Sequence, residues 1–327
     1  MHCFLLRSSR RARIDVVVFW TVQATALLAL AGPFRWPLAA LCLASHFVRM
    51  LGITLGFHRQ LAHRSFRTGR ATRFFWALLG TSAMQKGPLW WAGNHVYHHR
   101  FADRAGDPHS PRLAGFYRAH IGWFLDDVTY DVVDPENPVV REFSAYTEMR
   151  LLDRFYALPP LALAAGLFLA GGWPWLVWGF CLPTFTLAHA TFAINTVNHL
   201  WGSRRFATPD ESRNNLWTAL LTLGEGWHNN HHRFPRAARN GLYWWEPDPT
   251  WWTIRALGAL GSPGTSSRCP RRPMTRPRGR TTRREQPARG RRRIGDLRPC
   301  GGALPGPAPP RVPVRGRIPA GRPRPYP

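Results

Sequence analysis

The sequence predicts an all-α integral membrane protein, with four transmembrane helices in two hairpins, a cytoplasmic helical cap and a disordered basic C-terminal tail. Three observations predict it: four apolar stretches of membrane-spanning length, three tight histidine groups outside those stretches, and a tail from residue 261 unlike the rest in composition. The chain has 327 residues, with 44 Lys+Arg against 18 Asp+Glu and a formal net charge of +26. From Gly261 onward 18 arginines face only Glu285 and Asp296, and half of the 30 prolines lie there. The mean hydropathy of −0.27 therefore mixes an apolar, tryptophan-rich body, residues 1–260, with a polar tail, and only the body bears on the fold.

The first apolar stretch, 14–31, follows a basic start (Arg7, Arg10, Arg11, Arg13), and no small-residue cleavage site comes after it. It reads as a retained helix rather than a signal peptide. The others are 36–57, 155–171 and 173–194, and a helix of about 17–25 residues spans a bilayer core. Gly32-Pro33-Phe34-Arg35 splits the first pair and Gly171-Gly172 the second, so each pair is a hairpin that returns the chain to the side it left. The basic start places that side in the cytoplasm, together with a cap formed by 58–154 and 195–260. A shorter stretch, Ala71 to Met84, is expected at the interface or packed inside the cap. The five cysteines (Cys3, Cys42, Cys181, Cys269, Cys300) are scattered, odd in number and without a CxxC pair, which supports neither a disulfide framework nor a zinc ribbon and fits reducing surroundings. Residues 261–327 have Pro, Gly and Arg in place of an apolar period and cannot offset chain entropy by burial. Clusters such as Arg291-Arg292-Arg293 lack the aromatic interleaving of a nucleic-acid binder, so nucleic acid is not an expected partner.

Eight of the fourteen histidines fall into three groups: His58 and His63; His95, His98 and His99; His228, His231 and His232. On a helix advancing about 100° per residue, positions i, i+3 and i+4 share a face, so each HxxHH group is expected to aim its imidazoles at one locus. The i, i+5 pair His58 and His63 stands about 140° apart on such a helix, suiting a helix end with one ligand on each flank. A zinc ion takes about four ligands, so this many imidazoles indicates two metals. Imidazole suits several elements. Carboxylates are sparse around the groups, which predicts a cationic centre with neutral ligands; iron is the redox reading and a di-zinc hydrolase its competitor.

The segments HRQLAHRSF (58–66), WWAGNHVYHHRFADRAGDPHSP (90–111), GEGWHNNHHRFP (224–235) and WWEPDPTWW (244–252) resemble the membrane fatty-acid desaturases of the stearoyl-CoA desaturase type, over about 50–260. The resemblance implies a di-iron centre in the cap on nine histidines: the eight above and His199, with Asn195 as a ligand through water. It implies O2 as co-substrate and a cis double bond, at the delta-9 position, introduced into a saturated fatty acyl chain carried as acyl-CoA. No heme or flavin motif is present, so the electrons must come from a ferredoxin, rubredoxin or cytochrome b5-like donor with its reductase. Trp91 and Trp123 match family positions that wall the acyl slot, with Trp90 and Trp227 beside the metal groups as further walls. His109 is expected to hydrogen-bond behind a ligand, and His46 and His189 to be packed within spans; His2 and His120 have no assigned role. Where animal members carry Arg-Asp and Arg-Lys pairs against CoA, this chain has Gly93-Asn94 and Asp126-Asp127, which keeps an acyl-phospholipid or acyl-carrier-protein substrate as the alternative. A hydroxylase or ketolase on the same scaffold, and a membrane metal-binding protein without catalysis, are the other readings.

Overall fold

A computed structural model of the chain describes residues 2–32, 34–125, 137–260 and 266–267, with side chains from Arg13 to Leu260. All of them belong to one compact unit, Met1–Thr275. Asp126, Asp127, the side chain of His2 and nearly all of the tail 261–327 lie outside the described residues.

Among the described residues the regular elements are helices apart from one two-residue antiparallel pairing, Phe66–Arg67 with Ser266–Ser267, and the isolated bridges of Asn214 with Ser203 and Trp227. Three helices are long and apolar enough to cross a membrane: Arg13–Leu30, Trp36–Ala62 and Leu158–Leu200. The third runs for 43 residues, about 65 Å if straight and twice a bilayer core. It is not straight. Gly171 (φ −151°, ψ 18°) and Gly172 (φ 62°, ψ −154°) leave helical geometry, and Gly172 takes a left-handed φ that glycine adopts without steric cost. Beyond the break the chain folds back, with Leu163, Ala164 and Leu167 packed around Phe180 and Cys181. Ala26 and Val22 of the first helix join this cluster. Outward-facing apolar side chains such as Leu30 (84% exposed), Trp36 (79%) and Leu169 (84%) are what lipid, not water, would cover. Cys42 and Cys181 are buried free thiols.

The second long helix positions the site. It starts as an α-helix, Trp36–Leu51, and continues as a π-helix, Gly52–Ala62, which carries His58. Against it lies the helix Arg70–Thr81 at backbone contact: a Cβ on Gly56 would stand 2.7 Å from the Trp76 carbonyl oxygen, so glycine is required there. This helix buries Trp76, Ala77, Gly80 and Thr81 while Phe75 and Leu78 face outward. The stretch 71–84 is therefore packed on one face and exposed on the other. The core beneath the site joins Phe57, Leu61, Leu89, Val139, Met149 and Leu187, drawing the long helices and the shorter helices Pro88–Phe101, Pro138–Ser144 and Thr147–Arg154 together.

Candidate metal centre

Nine histidines meet in two adjacent clusters. His58, His63, His95, His99 and His231 form one, and His98, His199, His228 and His232 the other; within each, one nitrogen per ring lies within 4.8 Å of all its fellows. Two geometric expectations are corrected here. Neither HxxHH group serves a single locus: His95 and His99 go to the five-histidine cluster and His98 to the four, whereas His228 and His232 go to the four and His231 to the five. The reason is helical phase, because i and i+4 are only about 40° apart while i+3 and i+4 diverge by about 100°. Nor do His58 and His63 flank a helix end at a wide angle. The π-helix closes with His63 N–H donating to the His58 carbonyl oxygen at 3.0 Å, and an i→i+5 turn brings residues five apart onto one face. Their ring centroids are 4.8 Å apart.

Within the clusters the rings present Nε2 to one another. His63 and His95 approach to 2.7 Å, His95 and His99 to 3.0 Å, His99 and His231 to 2.9 Å, His58 and His231 to 3.1 Å. In the other cluster His199 and His228 stand at 3.1 Å. Burial, and then the neighbouring imidazoles, push His63, His95, His99, His228 and His231 well below the ordinary histidine range. They are therefore neutral at pH 7, the form that offers a lone pair. His232 is lowered to about 4 by burial although Asp210 works in the opposite direction, and its buried Nε2 has no hydrogen-bond partner among the described residues. Converging neutral Nε2 atoms, one of them orphaned, fit a cation in each cluster.

Behind the rings stand carboxylates, so the expectation that carboxylates are sparse is also corrected. His98 Nδ1 is 3.0 Å from Asp107, His199 Nδ1 2.7 Å from Asp103, His232 Nδ1 2.9 Å from Asp210, and His58 Nδ1 2.8 Å from Glu225. A carboxylate hydrogen-bonded to Nδ1 fixes the tautomer and aims Nε2 at the cluster, as it does for metal-bound histidine; the pairs of His98, His199 and His232 have that geometry, whereas Glu225 meets His58 Nδ1 at ion-pair distance outside hydrogen-bond geometry. Burial opposes ionisation of Asp103, but His199, the Glu211 N–H and the Ser110 hydroxyl together outweigh it and hold the carboxyl down at about 2. Glu225 also accepts from Arg59 Nε at 3.0 Å and from Asn240 Nδ2 at 2.7 Å, and Arg59 pairs with Asp248 at 2.9 Å. None of these six partners (Arg59, Asp103, Asp107, Asp210, Glu225, Asp248) was given a role from the sequence. Asp103 and Asp107 lie inside the second motif and Glu225 three residues before His228, so proximity to the histidines was an available signal. For Asp210 and Asp248 there was none of that strength.

The remaining residues fall as follows. Asn195 lines a cavity with His58, His95, His98, His228 and Trp91. Trp91 also lines a neighbouring cavity with Trp90, Trp123 and Phe124, and stacks on the His95 ring at 5.0 Å. Trp123 stacks on Trp90 at 5.9 Å. Trp227 packs elsewhere, donating from Nε1 to the Pro247 carbonyl oxygen at 2.8 Å. His109 lies against His98, with Nδ1 3.7 Å from Asp107. His46 contacts Thr186 and the Leu221 carbonyl, and His189 pairs with His120, which also contacts Thr196. None of His46, His120 and His189 joins either cluster.

The family model for fatty acid desaturase matches residues 34–264. Among similar proteins, the palmitoyl-monogalactosyldiacylglycerol delta-7 desaturase of Arabidopsis thaliana is 40% identical over 240 residues, covering 72% of this chain and 64% of that one. The icosanoyl-CoA 5-desaturase of Limnanthes douglasii is 45% identical over 213 residues, 65% of this chain and 60% of that one. The sn-2 palmitoyl-lipid 9-desaturase of Nostoc sp. (strain 36) is 39% identical over 258 residues, 76% of this chain and 87% of that one. The chain thus spans somewhat under two thirds of the first two relatives. Every residue of both histidine clusters lies inside the matched region, and the chain belongs to the membrane fatty acid desaturase family.

Proposed function

We propose that this chain is an integral-membrane, oxygen-dependent acyl desaturase with four spans in two hairpins and its active site on the cytoplasmic side. The observation that carries the reading is the pair of convergent Nε2 clusters beside a cavity that shares Trp91 with a neighbouring cavity lined by Trp123. The break at Gly171 and Gly172 supports the second hairpin, and the basic start at Arg7 to Arg13 supports the orientation. An iron in each cluster would supply, with O2, the oxidising power that no side chain has.

The chain's own residues do the rest. His58, His63, His95, His99 and His231 would hold one metal, and His98, His199, His228 and His232 the other, with Asn195 reaching the second through water. Trp91 and Trp123 wall the slot that orients a saturated acyl chain, and the buried rings keep bulk water from the centre. The product is an acyl chain with a cis double bond, delta-9 in the leading form, made on acyl-CoA with electrons from an external donor and its reductase. An acyl-lipid substrate is the second reading, favoured by the lipid desaturases among the relatives and by Gly93-Asn94 where animal members carry a charged pair.

The test is expression in a desaturase-deficient host, with mass spectrometry that localises the double bond and separates the CoA from the lipid pool, and elemental analysis of the purified protein. We expect new alkene and about two irons per chain, and loss of both iron and product in His98→Ala and His231→Ala. A hydroxylated product without alkene, or active protein containing only zinc, would overturn the reading.

A further inference from the structure

The two clusters differ in what stands behind their rings. In the four-histidine cluster three of four imidazoles have their own carboxylate: Asp107 on His98, Asp103 on His199 and Asp210 on His232. These carboxylates are oriented by neutral donors. Asp103 accepts from the Glu211 N–H at 2.8 Å and the Ser110 hydroxyl at 2.7 Å. Asp107 accepts from the N–H groups of Asp103 and His109 at 2.8 and 3.1 Å, and Asp210 from the Ser212 N–H at 3.0 Å. Asp103 adopts a left-handed φ of 55° to reach this place, a conformation aspartate tolerates better than most residues. Among the described residues no arginine or lysine lies within ion-pair distance of any of the three. Their negative charge is left to the metal.

The five-histidine cluster has one such carboxylate, Glu225 on His58, and that charge is already matched by the Arg59 guanidinium. The buried Nδ1 of His231 has no partner among the described residues. One extra imidazole favours this cluster, but charge and ring orientation favour the other. A partner behind a ligating histidine is typically worth 10–100-fold in metal affinity, and the four-histidine cluster has three without a competing cation. In a low-dielectric interior three carboxylates with no arginine or lysine at ion-pair distance among the described residues favour a cation more than one further neutral ligand does.

We infer that the four-histidine cluster is the tighter, first-filled metal site, with Asp103, Asp107 and Asp210 as its positioning residues, and that the five-histidine cluster fills second. The inference rests on the two-metal reading above. It is tested by equilibrium dialysis of the detergent-solubilised, metal-free protein against cobalt(II), counting bound metal. The wild type should show two classes of site at least about 10-fold apart. His63→Ala should remove the weaker class and His199→Ala the tighter. Asp210→Asn and Asp107→Asn, which keep the shape and can be used if the alanine variants do not fold, should weaken the tighter class by about 10–100-fold and leave the other unchanged. Loss of the tighter class in His63→Ala, or asparagine variants that weaken only the weaker class, would overturn the order. A wild-type protein that takes up no cobalt overturns the two-metal reading itself, and the order with it.

Discussion

Arg49 and Arg59 lie ten residues apart on one continuous helix, both almost wholly buried, and they are held in opposite ways. Among the described residues Arg49 donates to neutral oxygens alone, the carbonyls of Ser45, Ser82 and Phe180 and the Thr184 hydroxyl at 2.7–3.4 Å, and its guanidinium lies 5.4 Å from the Phe180 ring centroid. Arg59 meets two carboxylates, Glu225 and Asp248, besides the Ala238 carbonyl. The first arrangement ties the helix Trp36–Leu51 to Phe180 and Thr184 of the long apolar helix Leu158–Leu200 through dipoles, in a stretch where apolar surroundings make every charge costly. The second is an ion network whose members have further tasks. Glu225 orients His58, and Asp248 caps the helix Pro249–Ala259 by accepting from the Trp251 N–H at 3.0 Å. Along one helix, then, the buried cation changes from a brace between long apolar helices to part of the support of the histidine clusters.

The largest effect is expected where that support is cut. Arg59→Met would leave Glu225 and Asp248 buried without their shared guanidinium, and breaking a buried pair in this way costs about 3–5 kcal/mol. Glu225 would lose the contact that sets its position behind His58, so the five-histidine cluster should lose its metal and product formation should fall at least about 100-fold, the upper range for a lost partner behind a ligand. Arg59→Lys should recover only part of this, because one ammonium cannot reproduce the fork of contacts to both carboxylates. Metal content and thermal unfolding in detergent check both variants. Wild-type values in Arg59→Met would mean that the ion network does not support the centre.

The same contrast explains what the sequence allowed to be read. The long helices follow from apolar runs and their glycine breaks, because in lipid each helix satisfies its own backbone and needs no distant partner. Eight histidines stood out by spacing alone, whereas His199 needed the family resemblance, since a lone histidine at a helix end has no local signature. The sharing of each HxxHH group between two clusters was not legible: it depends on the rotation of the helices Pro88–Phe101 and His228–Arg233 about their axes, which packing fixes. The π-helix was missed because a run such as GITLGFHRQLA carries nothing that separates it from an α-helix. The carboxylates reach the rings from segments up to 167 residues away, as Glu225 reaches His58, and charge pairing at that range leaves no periodic trace.

A smaller effect is expected at the other arginine. Arg49→Met removes a buried cation but strands no carboxylate; its partners are carbonyls and one hydroxyl, and Met fills part of the same space. Replacing a buried charge by an apolar side chain of similar volume is often near neutral, so a change within about 1–2 kcal/mol is expected. Both metals should remain. Unfolding temperature and metal content measured beside those of Arg59→Met sharpen the contrast, and loss of metal from Arg49→Met would show that the brace between these two long helices, and not only the ion network, sets the geometry of the clusters.

The smallest effect is expected from removing residues 276–327. This segment carries fifteen arginines against Glu285 and Asp296, the greatest concentration of charge in the chain. All described partners of Arg49, Arg59 and the nine histidines lie within Met1–Thr275, so the truncation breaks none of these contacts. Metal content, unfolding temperature and double-bond position should therefore equal those of the full chain. Loss of product with both metals retained would assign the tail to substrate or electron-donor capture. Loss of metal would mean that the support of the clusters extends beyond the Arg59 network.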